Sequence, residues 1–136
     1  MAKRYYLDLC IWIDYLENRN DRLRPLGEWA FRLIKKIISD ESNILYSCLL
    51  ETELRNYTDK KIKDILGIVP QALLVKVGIS SRQIIEASSI SKITGIPKND
   101  AIHAILARDN GAVLVSRDNH FYKLGNITVK KPEDLI

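Results

Sequence analysis

Cysteine is scarce in this 136-residue chain, and its two copies, Cys10 and Cys48, fall inside apolar stretches without metal-binding spacing. That excludes a cysteine-built zinc site and leaves both thiols expected as small buried hydrophobes. Long apolar runs are missing too. No segment approaches the length needed to span a bilayer, and the opening MAKRYYLDLC lacks the apolar region of a signal peptide, so a cytoplasmic protein is expected. There is no G-x-G-x-x-G sequence and no Walker loop, which argues against dinucleotide binding and P-loop chemistry. Serine, cysteine and histidine do not fall in an order or context that makes a nucleophilic triad. Repeats, low-complexity tracts and domain boundaries are likewise absent, so residues 1–136 are expected to form a single domain.

What is present is an ordinary globular composition, 46% hydrophobic and 28% charged. The net charge of +4 permits a polyanionic partner without requiring one. The most informative stretch is KNDAIHAILARDNGAVLVSRDNHF, from Lys98 to Phe121. Asn99 is expected to cap a helix that places Asp100 in its first turn, with Ala101, Ile102, Ala104, Ile105 and Leu106 along an apolar stripe. Asn110-Gly111 stops that helix. Ala112 to Val115 then reads as a strand covered on both faces, ending at Ser116-Arg117-Asp118.

Upstream, Tyr5 to Leu9 reads as a first strand carrying Asp8, followed by a helix starting near Ile11. Pro25 to Ser39 is a long amphipathic helix, and Ile44 to Tyr46 is a second strand. Ser47 caps a helix from Cys48 to Tyr57 that holds Glu51 and Glu53. A helix over Asp59 to Leu66 leads to a third strand at Leu73 to Val77. Ser80 or Ser81 opens a further helix, with Ile84, Ile85, Ala87, Ser88 and Ile93 expected on its inner face. A last strand falls at Ile127 to Val129. Strands alternating with helices imply a three-layer α/β/α fold around a central parallel sheet of four to five strands.

Carboxylates recur at the ends of these elements: Asp8 after the first strand, Glu53 in the helix after the second, Asp100 before the fourth and Asp118 after it. Any one of them taken alone is more often a helix cap or a solvated charge than a ligand. Together, acids brought this close repel one another unless a cation neutralises them, and hard divalent ions with oxygen ligands do so. Such an ion polarises a phosphodiester and generates a nucleophile from water. His103, one turn after Asp100, is in a position to orient a carboxylate or contact RNA, with a helix-surface histidine the preferred reading. Asp14 and Asp109 read as solvated helix charges, and Arg117 and Asn119 as loop residues within reach of a phosphate.

The stretches YYLDLCIWIDYL, YSCLLETEL and KNDAIHAILARDNGAVLVSRDNHF, in this order, resemble the PIN-domain family of metal-dependent ribonucleases, especially the short VapC-type toxins. The last is the most specific, with its DAxxAxxA run, Gly turn and [ST]-x-D strand end. The resemblance implies that Asp8, Glu53, Asp100 and Asp118 form an acidic quartet that is both catalytic and metal-binding, supported by the Ser116 hydroxyl. Glu53 is preferred to Glu51 because it precedes Leu54, as the family's acid usually precedes a leucine. It further implies Mg²⁺ or Mn²⁺ dependence, endonucleolytic RNA cleavage to a 5′-phosphate and a 3′-hydroxyl, a small antitoxin partner, and a homodimer to which the Trp29 helix contributes. An RNA-maturation nuclease and a non-catalytic PIN-like module that binds RNA or protein are the alternatives. Leu9 and Cys10 depart from the family, which usually has threonine and then asparagine or serine after the first aspartate.

Overall fold

The period-two alternation of the strands decides the layering. In the computed structural model, which describes residues 3–136, β1 (Arg4–Leu7) sends Tyr5 and Leu7 to one face and Tyr6 to the other. β2 (Asn43–Tyr46) and β4 (Val113–Val115) are in register with it, Tyr5 opposite both Ile44 and Val113 and Tyr6 opposite Leu45 and Leu114. Both faces of the sheet are therefore apolar, and each needs a helical layer. The first core joins Tyr5, Leu7, Ile44 and Val115 to α1 (Leu9–Glu17), α2 (Leu26–Ser39), α3 (Cys48–Tyr57) and α4 (Ile62–Leu66). The second joins Tyr6, Leu45 and Leu114 to α6 (Lys98–Asp109), with α5 (Ser81–Thr94) packed on α6.

β3 (Leu74–Lys76) and β5 (Val129–Lys130) complete a five-stranded parallel sheet in the order β3-β2-β1-β4-β5. The expected three-layer α/β/α architecture is thus the one observed. From β1 the chain winds outward to β2 and β3, then crosses to the other side of β1 for β4 and β5. This makes the gap between β1 and β4 the point where winding reverses, and open parallel sheets bind ligands just beyond the carboxyl ends of such strands.

Several boundaries differ from the sequence reading. β1 stops at Leu7 because the Asp8 side chain accepts a hydrogen bond from the Leu9 amide and turns the chain into α1. α6 starts at Lys98, directly after Pro97, so Asn99 lies within its first turn instead of capping it. α4 is confined to Ile62–Leu66, and β5 starts two residues later than expected and ends one residue later. Ser80 caps α5 in a reciprocal pair with Gln83, yet the expected inner face is only partly inner: Ala87 is buried, whereas Ile84, Ile85 and Ile93 are exposed. Cys48 is exposed and Cys10 only partly buried, against the expectation for both. Met1 and Ala2, the start of the stretch inspected for a leader, lie outside the described residues. Among the described residues no helix is long and apolar enough to cross a membrane.

The join between α1 and α2 leaves no room for a side chain at Gly27. A Cβ there would stand 2.4 Å from the Asn18 Cα, a backbone atom that cannot move alone. Gly27→Ala should therefore lower stability by roughly 1–3 kcal/mol, as overpacking does, read as a lower denaturant midpoint at unchanged slope. A midpoint equal to that of wild type would show that the α1–α2 join is looser than described.

Candidate functional site

The candidate acids gather at the carboxyl ends of β1 and β4. Asp8 is buried, with one oxygen capping α1 and the other, Oδ2, accepting the Ser116 hydroxyl at 2.9 Å. The same Ser116 Oγ accepts the Asp118 amide at 3.1 Å. One fully buried hydroxyl thus ties the two strand ends together and sets the spacing of Asp8 and Asp118. Asp100 reaches the same place from the first turn of α6, whose alanines at 101, 104 and 107 are fully buried and let the helix lie close against the sheet.

His120 was not singled out by sequence, and it completes the cluster. It stands in the 3₁₀ turn Asn119–Lys123, and its Nε2 lies 2.7 Å from Asp100 Oδ2 and 3.0 Å from Asp118 Oδ2. One ligand atom each from Asp100, Asp118 and His120 lie within 4.8 Å of one another. Burial raises the Asp100 carboxyl; the His120 hydrogen bond lowers it, and the charges of Asp8 and Asp118 raise it again, with a net upward shift. The donor set is oxygen-rich, partly buried and over-negative, with an imidazole N–H bridging two carboxylates as a cation would. It suits a hard divalent ion.

Glu53 is held apart from this cluster. Its Oε1 is 2.6 Å from His103 Nε2, and His103 Nδ1 is 2.7 Å from the Tyr6 hydroxyl. His103 is fully buried, which corrects its reading as a surface residue: α6 is enclosed almost all round between sheet and α5. Glu51 points elsewhere, 2.6 Å from Lys76 and 3.6 Å from Arg55, beside a cavity of about 830 Å³ at the β3 edge that none of the clustered acids lines.

Leu9 and Cys10, where the family usually has polar residues, leave a thiol beside the first aspartate. Cys10 Sγ lies 3.7 Å from Asp8 Oδ2 and 3.8 Å from Ser116 Oγ. Burial above all, and then the Asp8 charge, push this thiol up to about 12, so it stays protonated and acts as a weak donor. Arg117 is not a free phosphate contact. It lies 3.2 Å from Asp14 and 2.9 Å from Glu133, over the face of Trp29, and so fastens the C-terminal segment to α1 and α2. Asp14 is correspondingly buried, which raises its carboxyl against the pull of Arg117, and is not a solvated charge. Asp109 has partners in Arg108 and Gln83, which offset its position at a helix C-terminus. Asn119 is exposed.

The fold and its acid-lined strand ends define a protein of the open, parallel α/β class. A family model for the PIN domain matches residues 5–127, and the chain belongs to that family. Among solved structures it is similar to VapBC2 from Rickettsia felis bound to a DNA fragment from their promoter, with 18% identity, TM-score 0.69, and 94% of this chain and 98% of that one covered. It is also similar to FitAcB from Neisseria gonorrhoeae, at 16% identity, TM-score 0.67 and coverage of 96% and 99%. A third is a toxin–antitoxin complex from Klebsiella pneumoniae, at 18% identity, TM-score 0.62 and coverage of 94% and 97%. No curated protein matches by sequence.

The raised Asp100 carboxyl has a consequence for stability. A carboxyl harder to ionise in the folded than in the unfolded state contributes nothing at low pH and destabilises as pH rises through its folded value. Metal-free Asp100→Asn should therefore melt a few degrees above wild type at neutral pH, with the gap closing as pH falls below the unfolded carboxylate range. Thermal melts across pH in EDTA check this; a variant that melts below wild type at neutral pH would contradict it.

Proposed function

We propose that this protein is a Mg²⁺- or Mn²⁺-dependent endoribonuclease, the toxin of a toxin–antitoxin pair, acting as a single catalytic domain through Asp8, Glu53, Asp100 and Asp118. The observation that carries the proposal is the convergence of Asp8, Asp100 and Asp118 on the strand ends where the sheet reverses its winding, in a chain of the PIN family. Asp100 and Asp118, with Asp8 beside them, would hold the ion, and Glu53 would face it from α3. A bound divalent ion supplies charge neutralisation at the phosphate and a water of lowered pKa. The residues do the rest. Ser116 keeps Asp8 and Asp118 in register, and the Cys10 thiol supplies the weak donor that remains beside Asp8. The His120 N–H, which lies against both Asp100 and Asp118, would turn to a phosphate or a leaving oxygen if an ion took its place between them. In-line attack of water on phosphorus, with the proton passing to the departing 3′-oxygen, leaves a 5′-phosphate and a 3′-hydroxyl.

The likeness to a toxin–antitoxin complex supports a small antitoxin partner and, with it, a cytoplasmic site of action. A homodimer is part of the proposal. The α2 helix that carries Trp29 is its proposed contributor, and the exposed Ile85 and Ile93 of α5, at 70% and 82%, would suit an apolar contact as well.

The test is cleavage of a mixed single-stranded and structured RNA pool with Mg²⁺, Mn²⁺ or EDTA. Wild type should cut with either ion and not in EDTA. Asp8→Asn and Asp100→Asn should each lose about 10²-fold or more, since several kcal/mol of charge stabilisation depends on the ion. RNA binding that persists in EDTA without cleavage under any condition would make the protein a non-catalytic binding module.

A further inference from the structure

Glu53 is held by a chain of three buried side chains. Ser47 Oγ accepts the Leu50 amide at 3.2 Å and lies 2.7 Å from the Tyr6 hydroxyl. Tyr6 is 2.7 Å from His103 Nδ1, and His103 Nε2 is 2.6 Å from Glu53 Oε1. Ser47, Tyr6 and His103 are all fully buried. The chain begins at the N-cap of α3, crosses β1 and α6, and returns to α3 two turns on.

Hydrogen-bond accounting fixes its direction. Ser47 Oγ already accepts from Leu50, and the partner its own hydrogen reaches is the Tyr6 oxygen. Reversing that bond would orphan a buried hydroxyl hydrogen, which is costly. Ser47 therefore donates to Tyr6, Tyr6 donates to His103 Nδ1, and His103 donates from Nε2 to Glu53. Every member is satisfied with a neutral imidazole.

We propose that Ser47, Tyr6 and His103 are positioning residues that hold Glu53 in one rotamer at the margin of the acidic site, with Tyr6 fixing the His103 ring so that its Nε2–H meets Glu53. This rests on the divalent-metal reading of the acidic site. A donor fixed on Glu53 Oε1 orients the carboxylate and leaves its second oxygen for the cation. His103 lies three residues after Asp100 on the same face of α6, so one helix both presents an acid and aims another.

The experiment measures Mn²⁺ binding by the EPR signal of free Mn²⁺, with no RNA present, and the His103 tautomer by ¹⁵N NMR of the metal-free protein. Wild type should show the Nε2–H tautomer. His103→Leu should weaken Mn²⁺ binding by about 10–100-fold, the range seen when the group orienting a metal ligand is lost. His103→Gln, whose amide can still donate to Glu53, should recover most of that loss. Tyr6→Phe, which keeps the ring and so the packing, should weaken binding by about 10-fold and abolish the single tautomer. If His103→Leu and Tyr6→Phe bind Mn²⁺ like wild type while Asp100→Asn does not, the chain is packing alone and the proposal is overturned although the metal site stands. An Nδ1–H or doubly protonated His103 overturns it as well. Wild type that binds no Mn²⁺, or binds it equally after Asp100→Asn, removes the metal reading and the positioning role together.

Discussion

Mutual repulsion among carboxylates at the ends of β1 and β4 is the constraint to which the rest of the site answers. Asp8 is buried and Asp100 partly so, which strengthens the repulsion between them, while Asp118 stays open to solvent. The protein meets this with fixed donors: the α1 amide and the Ser116 hydroxyl on Asp8, and the His120 imidazole across Asp100 and Asp118. These donors organise the acids without cancelling them. The net upward shift of the Asp100 carboxyl comes first from burial, with the charges of Asp8 and Asp118 adding to it against the His120 hydrogen bond.

The sheet order converts sequence separation into proximity. Asp8 and Asp118 are more than a hundred residues apart, yet they leave adjacent strands at the same end because β4 crosses back beside β1. The all-round burial of α6 then sets how near Asp100 and His103 come to those strand ends. Small residues on that helix are what permit the approach, and the small volume of alanine at 101, 104 and 107 is part of the site's geometry as much as of the core.

Much of this was legible from residue order. An acid placed where an apolar run ends, at Asp8 and Asp118, marks both a strand terminus and a candidate ligand, and the strand-helix alternation implied the layers. The misreadings share one cause: they concern faces whose cover comes from far along the chain. His103 and Asp14 have side-chain partners 50 or more residues away, in Glu53 and Arg117, so the local pattern gave them to solvent. Ile85 and Ile93 have helical spacing but stay exposed among the described residues, so the same logic buried them wrongly. His120 was missed because its role depends on the closure of a 3₁₀ turn against α6, which no periodicity announces.

The central claim, that these acids are arranged for a cation, is tested most directly by anomalous diffraction from crystals of the protein grown with Mn²⁺. The account predicts an anomalous peak against Asp100 and Asp118, with His120 no longer bridging them. Saturating Mn²⁺ with no peak there, and His120 still between the two carboxylates, would contradict it.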